Sequence, residues 1–129
     1  MEMKIVQGLY YSEDHEWVKV EDGKAKIGIT DYAQHQMGDI VYVELPDEDD
    51  ELEAGESFGV IESVKAASDS FAPVSGTVTA VNEDIEDDYA VLNAQPYENW
   101  IVEVELSDLA ELDKLMDAEK YEAFTSEEA

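Results

Sequence analysis

One lysine stands apart in this chain of 129 residues. Lys65 is the only lysine between Lys26 and Lys114. It sits in the run Gly59-Val60-Ile61-Glu62-Ser63-Val64-Lys65-Ala66-Ala67-Ser68-Asp69-Ser70-Phe71-Ala72-Pro73-Val74-Ser75-Gly76. An apolar stretch leads into it, small residues follow, and Pro-Val-Ser-Gly opens another strand. That pattern puts Lys65 at the tip of a hairpin, projecting into water. On composition alone, an amine so placed reads as an ordinary exposed lysine. Other catalytic groupings fail on spacing. His15 and His35 have no His or Cys partner at zinc-site intervals. Ser12, Asp14 and His15 are too close in sequence to divide the roles of nucleophile, orienter and base. Gly55-x-x-x-Gly59 lacks the lysine and hydroxyl of a phosphate loop. The acidic run from Asp47 puts Leu52 and Phe58 where a calcium loop needs glycine and glutamate.

Composition narrows the classes further. There are 34 acidic residues against seven basic ones, all lysine, for a net charge of −27. Phosphate recognition rests on clustered Lys and Arg, so neither nucleic acid nor an anionic membrane is an expected partner. Without cysteine there is no disulfide framework, thiolate metal site or thiol nucleophile. No apolar run exceeds four residues (Ile40 to Val43 is one), so no transmembrane or signal-peptide segment is expected. These features predict a soluble, cytoplasmic protein. Acid is dispersed over Asp47–Asp50, Glu83–Asp88, Glu103, Glu105, Asp108, Glu111 and Glu127-Glu128. A single binding patch would be local. Dispersion with scarce lysine reads as a halophilic surface, because molar salt screens the self-repulsion that dilute buffer leaves in place.

The elements that would hold Lys65 are mostly strands. Trp17–Val20 and Lys24–Ile29 flank Asp22-Gly23, the strongest short hairpin signal. Ala25, Ile27 and Ile29 alternate with Lys24, Lys26 and Gly28, which predicts one buried face. Thr30–Met37 is expected as a short helix capped by Thr30 or Asp31 and ended by Gly38. Strands are expected at Ile40–Leu45, Phe58–Val64, Pro73–Val81 and Trp100–Leu106, with an acidic loop from Asp47 to Ala54. Ser107 is expected to cap a terminal helix with an apolar stripe of Leu109, Leu112, Leu115, Tyr121 and Phe124, fraying from Thr125 to Ala129. At this length about two thirds of the unfolded surface can be buried. The expected architecture is one mainly β domain over residues 1–129, sandwich- or barrel-like, with a core at about 9–106 and a C-terminal helical appendage at about 107–124.

The segment around Lys65 resembles a lipoyl-attachment motif, with Glu62 three residues before the lysine and Gly76 eleven after. The resemblance extends over roughly Leu9 to Phe124. His15-Glu16-Trp17-Val18, Gly28-Ile29-Thr30-Asp31-Tyr32-Ala33-Gln34, Met37-Gly38-Asp39-Ile40-Val41, Val43-Glu44-Leu45-Pro46, Ala72-Pro73-Val74-Ser75-Gly76, Val81-Asn82, Leu92-Asn93 and Pro96-Tyr97 follow in the order of the glycine cleavage H proteins. The chain departs from that pattern in a shortened Pro96-Tyr97-Glu98-Asn99-Trp100, in lacking a proline near Asp88-Tyr89, and in having Gln36 where the family has a histidine nearby.

The resemblance implies a lipoyl/biotinyl-type barrel-sandwich hybrid with lipoate in amide linkage on Lys65. Glu62 and Gly76 would be read by the lipoate-attaching enzyme. The carrier itself would be non-catalytic. It would shuttle the aminomethyl group of glycine from a pyridoxal-phosphate glycine decarboxylase to a tetrahydrofolate-dependent aminomethyltransferase. An FAD-containing dihydrolipoyl dehydrogenase would then reoxidise it. The reactive group belongs to the cofactor and the protein presents it, which fits the missing catalytic constellation. The loaded arm needs an anionic cleft, and the resemblance places it beside His15-Glu16-Trp17. Glu16 is the expected ammonium acceptor and Asp69 a helper; if neither acts, protection would have to be steric, from apolar walls near Trp17 and Ile29. An H-like lipoate carrier in another pathway, such as sulfur oxidation, is the alternative. A biotin carrier would have methionines in place of Val64 and Ala66.

Overall fold

The computed structural model describes residues 5–128, with side chains through Ser126. Among these residues nine strands pair antiparallel into two sheets. The larger sheet runs β1 (Tyr10–Tyr11), β2 (Glu16–Glu21), β3 (Lys24–Ile29), β9 (Val102–Leu106), β8 (Gly76–Val81) and β5 (Glu51–Leu52). The smaller runs β4 (Ile40–Glu44), β6 (Ser57–Ser63) and β7 (Ala67–Phe71). The protein is mainly β, an open sandwich with short helices.

Local chemistry explains the elements that matter. Asp22 and Gly23 both take positive φ, 51° and 79°, so the β2–β3 hairpin turns as that dipeptide dictates. The alternation in β3 buries Ala25, Ile27 and Ile29 against Val18, Val78, Val102 and Val104. Val43 and Ile61 supply the facing layer from the small sheet, and Val74, Ile85 and Leu92 fill in from the connections, Leu92 from the short helix α2 (Val91–Ala94). Each such side chain contributes about 1.5–3 kcal/mol on leaving water. Helix α1 (Asp31–Met37) begins with Thr30 Oγ1 accepting from the Ala33 amide at 3.2 Å and ends at Gly38.

Three expectations about the strands need correction. The strand returning from the Lys65 tip is β7, not the Pro73–Val81 segment, which forms a strand only from Gly76 and pairs in the other sheet. The sequence Ala-Ser-Asp-Ser-Phe carries little strand propensity; β7 exists because β6 offers it a ladder from Ser57↔Phe71 to Glu62↔Ala67. The acidic loop contains β5, which pairs with Gly76 and Thr77 and buries Leu52. The last strand begins at Val102, leaving Trp100 outside it.

The terminal helix is not continuous. Asp108, not Ser107, caps a 3-10 turn at Leu109–Lys114, and Leu109 is exposed. The chain then straightens where Met116 and Tyr11 exchange backbone hydrogen bonds of 2.8 Å. Helix α3 (Ala118–Glu128) follows. It is not loose: Tyr121 is fully buried and packs with Tyr11, Trp17 and Ala118 in a second core. Nor does it fray at Thr125, which is buried and whose hydroxyl donates to the Glu122 carbonyl at 3.0 Å. Ala129, the end of the expected frayed segment, lies outside the described residues.

Candidate functional site

Lys65 occupies the exposed bend between β6 and β7. The bend is tied internally by Ser63, whose amide donates to the Ala66 carbonyl at 2.8 Å and whose hydroxyl accepts from the Lys65 and Ala66 amides at 3.2 Å. It is tied to the α1–β4 turn by the Val64 amide, which donates to the Asp39 carbonyl at 3.0 Å. A small-residue tip on a two-stranded ladder thus presents one amine to solvent. Glu62 is exposed on β6. Gly76 is buried in β8, and a Cβ there would run into the Glu105 carbonyl of β9. Its glycine therefore has a packing reason within the large sheet.

A cleft of about 150 Å³ lies between the sheets. Glu16 and Asp69 both line it, so the structure brings together two carboxylates 53 positions apart in sequence. Ile29, Ala33, Met37 and Ile61 form its apolar wall, and His15 and Gln36 also face it. Trp17, expected as a wall, is elsewhere. Its ring lies on Gly28 and its Nε1 donates to the Pro96 carbonyl at 3.0 Å. Sequence assigns no role to Met37 or Ile61, and marks Gln36 only as a departure from the family pattern. Helical spacing from Ala33 and strand alternation with Gly59 were the available signals, but neither says which face meets the other.

The two carboxylates differ in kind. Asp69 is exposed, and its Oδ1 accepts from the Ser57 hydroxyl at 3.4 Å. Glu16 is 3% exposed. Burial, aided by the nearby Asp14 charge, holds its carboxyl well above the ordinary range; the Ser12 hydroxyl and the Phe71 backbone pull it back only in part. A buried carboxyl without a cation is costly as the anion. An ammonium entering the cleft would reverse that balance.

The cleft's rim is held from behind by aromatic stacking. His15 has φ 65°, a left-handed conformation that costs a non-glycine residue of order 1 kcal/mol. Its amide donates to the Ser12 carbonyl, and its carbonyl accepts from Thr30, each at 3.1 Å. Its ring stacks on Tyr32 at 4.4 Å, and its Nδ1 lies 2.9 Å from the Tyr121 hydroxyl. That hydroxyl also bonds Thr30 Oγ1 at 2.6 Å.

Comparison with known proteins places this geometry. The family model for the glycine cleavage H-protein matches residues 9–128. The chain is 58% identical over 126 residues to the glycine cleavage system H protein of Thermoanaerobacter pseudethanolicus, covering 98% of this chain and 100% of that one. To the H protein of Clostridium botulinum strain Loch Maree it is 55% identical over 125 residues, covering 97% and 96%. The crystal structure of a glycine cleavage system H protein from Mycobacterium marinum superposes with a TM-score of 0.88 at 34% identity, over 95% of this chain and 99% of that one.

Proposed function

The chain belongs to the glycine cleavage H-protein family, and from that premise we propose that Lys65 is the lysine that carries its lipoyl group. The protein is a non-catalytic lipoyl carrier of the glycine cleavage system, and its lipoate is held covalently by a lysine. Its partners lie within that system. The single observation that carries the assignment to Lys65 is its place on an exposed hairpin bend beside the cleft that Glu16 and Asp69 line.

The distances suit the role. About eleven bonds separate the lysine Cα from the dithiolane ring, a reach of roughly 14 Å. Asp69 lies four residues along the strand, at most about 13 Å at 3.3 Å per residue. An arm on Lys65 is thus long enough to fold back into the cleft, and long enough to leave it for an enzyme. Glu16 and Asp69 would receive the cationic amine of the cargo, and the Ile29–Met37–Ile61 wall would keep water from it. An exposed ion pair is worth only about 0–1 kcal/mol, so the buried Glu16 is the stronger acceptor.

The same reading names the partners: glycine decarboxylase with pyridoxal phosphate, aminomethyltransferase with tetrahydrofolate, dihydrolipoyl dehydrogenase with FAD, and the lipoate-attaching enzyme. Glu62, exposed three residues before Lys65, is the residue the attaching enzyme would read directly. Gly76 would act through the close β8–β9 pairing. The whole chain works as one carrier domain. No helix among the described residues is long and apolar enough to cross a membrane, and a cytoplasmic site of action follows from the partners proposed. Peptide mass mapping of protein from its native host checks the attachment: one lipoyl group on Lys65 is expected. Lys65→Arg should fold as wild type and lose all carrier activity. Lipoyl mass on Lys24 or Lys114 instead would overturn the assignment.

A further inference from the structure

The Lys65 side chain does not hang free from its bend. A Cβ built on Gly38 would lie 3.2 Å from Lys65 Cε, 3.7 Å from Cδ and 3.9 Å from Cγ. Three successive carbons of the stem therefore run across the face of one glycine. We infer that Gly38 is a positioning residue for the arm: its bare face is the seat on which the stem turns from the hairpin tip toward the cleft. The inference rests on Lys65 as the attachment point.

The seat is built rather than incidental. Gly38 has φ 77° and ψ −157°, a conformation that side chains avoid. Its amide donates to the Gln34 carbonyl at 3.0 Å. Asn93 grips the turn from the far side: Nδ2 donates to the Gly38 carbonyl at 2.8 Å and to Gln34 Oε1 at 3.0 Å, while Oδ1 accepts from the Ile40 amide at 2.9 Å. Asp39 then holds the tip through its carbonyl bond to the Val64 amide. The residue before the seat, Met37, is already part of the cleft wall. Tip, seat and cleft are thus consecutive, and the turn between them is fixed at both ends.

A larger side chain at position 38 would lift the stem off this track. It would leave the arm free to reach enzymes but poorer at entering the cleft. Backbone strain is the competing effect, and side-chain size separates the two. Strain is introduced by the first carbon, so Gly38→Ala and Gly38→Leu share it. Obstruction grows with what lies beyond.

The experiment uses the full chain, lipoylated on Lys65 and loaded with glycine by glycine decarboxylase. Hydrolysis of the isolated loaded protein breaks the C–S bond, returns a proton to sulfur and releases formaldehyde and ammonia; formaldehyde is measured. The expected rate rises about twofold for Gly38→Ala and about tenfold for Gly38→Leu. Turnover of the unloaded arm by dihydrolipoyl dehydrogenase should stay within twofold of wild type. In the unmodified wild-type chain, NMR should show cross-relaxation between the Gly38 Hα and Lys65 Hε protons, and Gly38→Leu should displace the Lys65 signals. Equal rates for Ala and Leu would assign the effect to strain and overturn the inference, as would absence of the cross-peak. If neither Gly38 variant folds, Asn93→Asp, which keeps the Ile40 bond and drops those to the Gly38 carbonyl and to Gln34 Oε1, should still speed hydrolysis; a wild-type rate overturns the inference. Lack of lipoyl mass on wild-type Lys65 overturns the attachment reading itself, separately from these outcomes.

Discussion

At the scale of single residues, Glu16 carries the sharpest consequence. Its carboxyl sits above the ordinary range because it is buried among the cleft's inner groups and close to Asp14. The sign of its effect on stability follows. In the unfolded chain it ionises at the usual carboxylate pKa; in the fold it resists ionising. Above the unfolded value the unfolded state gains by losing a proton that the folded state holds, so stability falls as pH rises toward the folded value. Glu16→Gln keeps an oxygen for the Ser12 hydroxyl and has no charge to bury. It should therefore raise the melting temperature at neutral pH, while leaving it nearly unchanged near pH 4. The same substitution should shorten the life of the loaded arm. A variant that is more stable yet protects its cargo less well would show that this carboxyl is kept for the ligand. Calorimetry from pH 4 to 8 on both proteins is the check, and parallel curves would refute the idea. The identity of Glu16 and Asp69 as candidates was legible from the resemblance. Their difference in burial was not, because His-Glu-Trp gives no hint of which neighbour points inward.

Among the elements, α3 shows what sequence periodicity hides. Leu109, Leu112 and Leu115 match a helical stripe, yet the first two fall on a 3-10 turn that ends at Lys114, and Leu115 is already extended. Backbone pairing of Met116 with Tyr11 competes with helix continuation and wins. That restart lets Tyr121 reach the rim of the cleft, stacking on Tyr11 at 4.4 Å and bonding both Thr30 and the His15 ring. The helix thus joins the loop that leads into β2 to the N-cap of α1; loop and strand supply His15 and Glu16 to the cleft, and α1 supplies Ala33 and Met37. Tyr121→Phe would keep the stack and delete both bonds to its hydroxyl, at a cost of about 1–3 kcal/mol. Urea melts should show that loss with an unchanged m-value. Hydrolysis of the loaded cargo should quicken as His15 and Thr30 part. A stable variant with a wild-type midpoint would mean that α3 is held by packing alone. The hairpins around Asp22-Gly23 and Lys65 were readable because turn chemistry is local. Strands β5 and β7 were not: the two residues of β5 become a strand only through β8, some 25 positions on, and the polar sequence of β7 only through the ladder that β6 offers it.

Over the whole molecule the question is what the net charge of −27 does. The lysines are not spread to match it. Lys24 and Lys26 stand across from Glu105 and Glu103, and Lys19 pairs with Glu21 at 3.2 Å, so three of seven lysines share one face of β2 and β3. The exposed runs Asp47–Glu51 and Glu83–Asp88 contain no lysine. Repulsion within and between them must be screened by counterions. We expect the melting temperature to rise by about 10 °C between 0.01 and 1 M KCl, equivalent to about 2–3 kcal/mol in a domain of this size. Most of that gain should come early. The Debye length falls from about 30 Å at 0.01 M to about 10 Å at 0.1 M, the range over which separate acidic runs cease to feel one another. A salt acting only by strengthening apolar burial would behave differently, with sulfate surpassing chloride and little effect at low concentration. Scanning calorimetry across both salts distinguishes the two. An early rise common to both salts identifies charge screening and supports a surface adapted to high salt. A flat chloride curve would mean that the local lysine pairings and the core already outweigh the repulsion, and the dispersed acid would need another explanation.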